Sequence, residues 1–88
     1  MTENIEPRTP VSVPEKEATA VTPLIRNAIP GVGVSVYGAI SKKGERIIEV
    51  LADDPNGDDR FKRVYLADAE PKKVVKHAVS AIKTQFAM

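Results

Sequence analysis

The sequence predicts an α+β fold: a three-stranded antiparallel β-meander packed by a C-terminal amphipathic helix, with a short preceding helix and an extended N-terminal arm. Segments of alternating apolar residues at 32–40, 46–53 and 61–67 predict the strands. Turn sequences separate these segments, and an apolar pattern of helical period follows them. The 88 residues have room for a single domain, which we place at residues 22–88 after an arm at residues 1–21.

Prolines dominate the start of the chain. Five of the seven lie at positions 7, 10, 14, 23 and 30. As far as Pro14, their spacing disfavours a helix and interrupts strand ladders, which predicts an extended or disordered arm. Thr22 as N-cap, Pro23 in the first turn and a stop at Pro30-Gly31 predict a short helix over residues 22–29. We expect Pro23 to interrupt any helix that begins at Glu15.

Alternating valines from Val32 onward predict the first strand. Gly38 breaks the alternation and predicts either a bulge or a close packing contact. The sequence Ser41-Lys42-Lys43-Gly44 predicts a short hairpin connection, in which Gly44 supplies a positive φ.

The second and third strands are joined by the clearest turn in the chain. Asp54-Pro55-Asn56-Gly57 has a favoured residue at all four positions of a type I turn. In the strand before it, Ile48 and Val50 compete with Ile47 and Leu51, so alternation leaves open which pair faces the core. The strand after it places an aromatic and basic set on one face, namely Phe61, Arg63 and Tyr65.

A single amphipathic helix is predicted from about Pro71 to Phe86. At about 100° per residue, its apolar side chains fall within roughly 140°. They are Val74, Val75, Ala78, Val79, Ile82 and Phe86. The opposite arc carries Lys72, Lys73, Lys76, His77, Ser80, Lys83 and Thr84. Lysines in a first turn are unfavourable beside the positive end of the helix dipole, so their presence there fits a bound anion. The alternative is that this arc is the solvated face of an amphipathic helix, since lysine is a good helix former.

Composition narrows the function classes. The net charge is +1, but residues 60–88 hold seven basic side chains against two acidic ones, which gives this part of the chain +5. With no cysteine and one histidine, we expect no metal site, and we expect no cofactor. No apolar run approaches the roughly 20 residues that span a bilayer, so we expect no membrane partner and a cytoplasmic location, or one within a host cell or virion if the protein is viral.

The basic C-terminal third predicts a surface that binds nucleic-acid phosphates or an acidic protein surface. The candidate nucleic-acid-binding residues are Lys72, Lys73, Lys76, Lys83, Arg60, Lys62, Arg63 and Tyr65. Aromatic rings interleaved with arginine on the third strand would stack single-stranded bases, unless the rings belong to the core. Duplex and single strand, and DNA and RNA, stay open. No nucleophile, base and orienting acid assemble in the sequence, so we expect a non-enzymatic protein.

The order helix, three strands, helix, with Lys72-Lys73 and Lys76 opening the last helix and Ala78 following, resembles the double-stranded RNA-binding domain family. The resemblance covers residues 22–86 and implies that the lysines at this helix start contact phosphates across the major groove. The chain departs from the family at three places, the first of which is that the helix predicted over residues 22–29 is shorter than the family's. Ser41-Lys42-Lys43-Gly44 replaces the family's Gly-Pro-His hairpin, and Asp68-Ala69-Glu70 replaces its glycine-rich approach to the lysines.

Two other functions fit the sequence. The Pro-rich arm would lie along a neighbouring molecule in a protein-interaction or assembly subunit, in which a homo-oligomer is possible. The acidic loop, with Asp53, Asp54, Asp58 and Asp59, would face a nucleic-acid-binding enzyme in a small inhibitor. The spacing of these carboxylates does not match a calcium-binding loop, so we interpret the loop as a solvated hairpin tip.

Overall fold

A computed structural model, which describes residues 12–88, contains two α-helices and one three-stranded antiparallel sheet. The elements in chain order are α1 (Glu15–Ala28), β1 (Gly33–Ile40), β2 (Arg46–Asp53), β3 (Arg60–Leu66) and α2 (Pro71–Gln85). The strands lie in the order β1-β2-β3. This confirms the predicted α+β class, the meander and the C-terminal helix that packs on it. Neither helix within residues 12–88 is long and apolar enough to cross a membrane.

The predicted start of α1 is wrong. The helix begins at Glu15 rather than at Thr22, so residues 15–21, which the sequence analysis assigns to the arm, are helical, and Pro23 lies inside the helix. Val21 and Ile25 are buried against the sheet, and each contributes about 1.5–3 kcal/mol, enough to offset about 3 kcal/mol for an internal proline. Thr22 does not cap the helix but donates its hydroxyl to the Ala18 carbonyl at 2.7 Å. Of the rest of the predicted arm, residues 12–14 lead into the helix, with Pro14 buried, and residues 1–11 lie outside the described residues.

The register of the sheet decides which face of β2 is buried. Residues pair one to one along β1 and β2, from Gly33 opposite Asp53 to Ile40 opposite Arg46, without a bulge. The core face of β2 carries Ile48, Val50 and Ala52, all buried. Ile47 and Leu51 lie on the other face and are partly exposed. Both helices pack on the face that carries Ile48, Val50 and Ala52, and this packing decides which row of β2 faces the core.

Both helices cover the same face of the sheet. α1 packs on β1, α2 packs on α1 and β3, and the layer between them is fully buried at Ile25, Ile48, Val50 and Ile82. The opposite face of the sheet, which we call the open face, is covered by no element of residues 12–88.

Gly38 marks a close packing contact, one of its two predicted roles. The N-terminal end of α1 crosses β1 at this residue, where the fully buried Pro14 lies against the strand. A Cβ atom at position 38 would lie 2.7 Å from the Pro14 carbonyl oxygen and 2.8 Å from its carbon. Glycine therefore lets the helix approach the strand at this point.

Replacing Gly38 with alanine tests this contact. The added methyl group meets backbone rather than a flexible side chain, so we expect the free energy of unfolding to fall by about 1–3 kcal/mol. Gly33→Ala is the matched control, because its Cβ would meet nothing closer than 4.0 Å. Urea unfolding of both variants measures the difference. Equal stability of the two variants would show that the helix does not depend on this approach.

Arg46 joins three separate parts of the chain. Its Nε donates to the Ser12 carbonyl at 2.9 Å, and its two terminal nitrogens lie 2.9 Å from Glu17 and 3.3 Å from Asp68. The Arg46 carbonyl also accepts the Ala67 N–H at 2.9 Å. One side chain thus connects the segment before α1, the first turn of α1 and the loop that leads into α2.

The Glu17 carboxylate gives a pH-dependent test of this junction. Its pKa is lowered, chiefly by a hydrogen bond from its own backbone N–H; partial loss of water opposes this, and Arg46 adds to the lowering. A lowered pKa stabilises the fold above the unfolded value of about 4.3, and this contribution is lost as the pH falls through the folded pKa. We expect Glu17→Gln to flatten the acid limb of a stability-versus-pH curve.

Glu45→Gln is the control for that curve, because among residues 12–88 the Glu45 carboxylate makes no ion pair or hydrogen bond. Thermal unfolding between about pH 3 and 7 covers the titration range of glutamate. An acid limb that keeps its slope in Glu17→Gln would contradict a role for this carboxylate.

Candidate nucleic-acid interface

The lysines of α2 form the basic surface that the sequence predicts on this helix. Lys72, Lys76 and Lys83 fall within about 40° of one another around the helix axis, and Lys73 lies on the other side of the polar arc. The opposite arc is fixed in the core by Val74, Ala78 and Ile82. All four lysines are exposed, and none is within ion-pair distance of a carboxylate of residues 12–88. Their positive charge is therefore available to a partner.

The first turn of α2 offers fewer free backbone N–H groups to an anion than the sequence indicates. Glu70 is the N-cap residue and makes no capping bond, and no acidic residue lies in the turn. Pro71 has no N–H, and the N–H groups of Lys73 and Val74 already donate to the Glu70 carbonyl at 3.0 and 3.1 Å. Only the Lys72 N–H is left among the first four residues of the helix. An anion at this end would be held mainly by ammonium groups.

A shallow groove runs beside the lysines, between the two helices. Its floor is apolar, with Ala28 from α1 and Val75 and Val79 from α2, and Lys76 and Lys83 stand along it. Its volume is about 480 Å³. The groove therefore has basic residues beside apolar ones, and Lys76 and Lys83 are exposed.

The basic residues of β3 are divided between the two faces of the sheet. Arg63 and Tyr65 point to the helix side, whereas Arg60 and Lys62 lie on the open face, where Arg60 is 3.2 Å from Asp53. The structure thus brings Arg63 and Tyr65 to the side of α2 but separates Arg60 and Lys62 from it. The eight predicted residues do not form one continuous surface.

Both aromatic rings of β3 make contacts within the fold. Phe61 is buried in the core, which excludes it as a stacking platform. The Tyr65 ring meets the His77 ring edge to face at 5.5 Å, and its hydroxyl lies 2.8 Å from His77 Nδ1. Burial raises the pKa of Tyr65, and the charge of Arg63 partly opposes this. No spacing along the chain signals a pair between a strand and the following helix, so this contact could not be predicted from the sequence.

The acidic loop is partly held by internal contacts. Asp54 accepts the Asn56 N–H at 2.9 Å, and the Gly57 N–H closes the turn on the Asp54 carbonyl. Asp59 accepts from Gln85 Nε2 at 3.1 Å, which ties the hairpin to the end of α2. Among residues 12–88, no group of acidic or histidine side chains is arranged to hold a metal ion.

Comparison with protein-family models, with curated proteins and with solved structures found no match to this chain.

The Tyr65–His77 contact fixes α2 against β3 and can be tested by Tyr65→Phe. The variant keeps the ring and removes the hydroxyl, so we expect unfolding free energy to fall by about 0.5–1.5 kcal/mol. Tyr37→Phe is the matched control, because the exposed Tyr37 hydroxyl makes no hydrogen bond to residues 12–88. Denaturant unfolding compares the two, and a loss that is no larger in Tyr65→Phe would contradict the contact.

Proposed function

We propose that this protein is a non-enzymatic nucleic-acid-binding module that contacts phosphates through the basic face of α2. The observation that carries the proposal is the set of four exposed lysines without a carboxylate partner in residues 12–88, on a helix whose other face is anchored in the core. Such lysines neutralise phosphates and release the counterions condensed on the nucleic acid, which supplies most of the affinity of sequence-independent binding.

The element order supports the same proposal. A helix, three antiparallel strands and a second helix follow in the order of the double-stranded RNA-binding domains, and both helices lie on one face. Lys72, Lys73 and Lys76 stand at the helix start where that family has its phosphate-binding lysines. The resemblance favours duplex RNA as the ligand, since such domains recognise shape and phosphates rather than base edges.

The aromatic rings on the helix side also favour a duplex ligand, because their contacts within the fold leave them poorly placed to stack on bases. Stacking of single-stranded bases needs a free ring beside the basic groove. On the helix side, Phe61 is buried and Tyr65 is engaged with His77. Phosphate contacts are thus the main chemistry that this surface offers.

The triple variant Lys72→Ala, Lys73→Ala, Lys76→Ala tests the proposal. We expect its affinity for duplex RNA to fall on the order of a hundredfold at low salt. The slope of log affinity against log salt should become shallower by about 2.7 if each lysine neutralises one phosphate. Fluorescence anisotropy at several salt concentrations, with duplex RNA, duplex DNA and single strands as probes, measures both quantities.

The matched control removes the same number of charges from β3, by replacing Arg60, Lys62 and Arg63 with alanine. Two of these three lie on the open face, one of them in an ion pair, so we expect a smaller loss than in the α2 triple variant. Equal losses would show that binding follows total charge and not the α2 surface. Binding that no probe shows, or that does not respond to salt, would overturn the proposal.

The sequence also predicts two alternative functions, an assembly role for the arm and an inhibitor role for the acidic loop. An assembly role for the arm is now best tested by deleting residues 1–11, because a longer deletion to residue 20 removes nearly half of α1 and the buried Ala18. Ser12, bound to Arg46, marks the point from which those residues extend. An inhibitor role for the acidic loop rests on Asp58, since Asp53, Asp54 and Asp59 have partners within the fold.

A further inference from the structure

The open face of the sheet carries six apolar side chains among its twelve residues. Its apolar side chains come from all three strands: Tyr37 and Ala39, Ile47 and Leu51, and Val64 and Leu66. Tyr37, Val64 and Leu66 are 56%, 46% and 54% exposed, and no element of residues 12–88 covers them. A contiguous apolar face of this kind marks a protein interaction site more often than a free surface.

Two charged residues on this face have no partner within residues 12–88. Glu49 lies in the centre of the face, between Tyr37 on β1 and Val64 on β3. Lys62 lies on β3, diagonally across from it, and neither forms an ion pair. Covering the face would strip water from the Glu49 carboxylate, which is strongly unfavourable unless a cation meets it.

We propose that the open face binds a second copy of this chain. A two-fold arrangement brings the same patch of both copies together, so any contact made by one residue is repeated by symmetry. Two charged groups that have no partner in residues 12–88 then pair across the interface, since Glu49 of each copy meets Lys62 of the other copy. The face is thus complementary to itself in charge as well as in apolar character.

The size of the face sets the strength of this association. Three strands about 4.8 Å apart and eight residues of about 3.4 Å each give a face of roughly 14 by 27 Å. Two such faces remove on the order of 800 Å² from water, which is below the roughly 1,200–2,000 Å² of stable specific interfaces and in the range of weak, transient ones. The result is a weak dimer with a dissociation constant on the order of micromolar to millimolar.

Residues 1–11 are a poorer occupant of the same face. They include only three large apolar side chains, Met1, Ile5 and Val11, and two prolines that cannot donate to a strand. Six apolar residues on three strands need a broader apolar surface than this segment has. Deletion of residues 1–11 is therefore expected to leave the association unchanged.

Reversing the charge at Glu49 in one variant and at Lys62 in another tests the proposal. We expect Glu49→Lys and Lys62→Glu each to weaken self-association at least about tenfold, because like charges then face one another across the interface. In a mixture of the two variants, a copy with two ammonium groups at these positions meets a copy with two carboxylates. Opposite charges then face one another at both contacts, so association should return to within a few-fold of the unsubstituted chain. Effects within one copy cannot produce this recovery. Sedimentation velocity over a concentration series measures all four samples.

Matched controls lie on α1, on the opposite side of the sheet. Glu15→Lys and Lys16→Glu change the charge by the same amounts and should leave the association unchanged. Leu66→Lys adds a charge at an exposed apolar position and should abolish the dimer without touching the core. Circular dichroism verifies that each variant is folded.

Three results would overturn the proposal. The first is a chain that stays monomeric up to about 1 mM. The second is a mixture of the two charge variants that associates no better than either alone. The third is stronger self-association after deletion of residues 1–11, which would show that this segment covers the face. None of these results bears on nucleic-acid binding by α2, since the inference does not rest on that function.

Discussion

The buried layer between the helices and the sheet is the constraint on which the other features depend. Ile25 from α1, Ile48 and Val50 from β2, and Ile82 from α2 have almost no exposed surface. A chain of this length can bury one face of a three-stranded sheet, but residues 12–88 contain no further element for the other. The same layer therefore fixes the inner arc of α2, turns its lysines outward and leaves the open face without a cover.

The sequence predicted those parts of the fold that depend on local pattern. The bounds of β2 and the turn at 54–57 follow from alternation and from turn chemistry, and the anchored arc of α2 follows from helical period. Alternation could not decide between the rows of β2, because both are apolar. One row faces the helices and the other lies on the open face, where only a partner such as the proposed second copy would bury it.

The predicted start of α1 was wrong for a different reason. A local rule, the incompatibility of proline with a helix interior, was overridden by tertiary burial. Ala18, Val21 and Ile25 recur at helical spacing on one side, while Pro23 lies on the exposed side, where the carbonyl that it leaves unpaired can bond to water. The site shows a similar limit. Strand alternation separated Lys62 from Arg63, but the approach of Tyr65 to His77 depends on how the helix lies over the sheet, which no local pattern encodes.

The placement of α2 and the open face on opposite sides of one sheet has a consequence for binding geometry. If two copies join through their open faces, their lysine-bearing helices lie on the two outer surfaces and point away from each other. Such a dimer could not bind one duplex between its two lysine-bearing helices. It would be bivalent and bridge two separate polyanions, or two distant segments of one, with the gain in avidity that linkage brings. The paired sheets would then act as a spacer that sets the distance between the bridged segments.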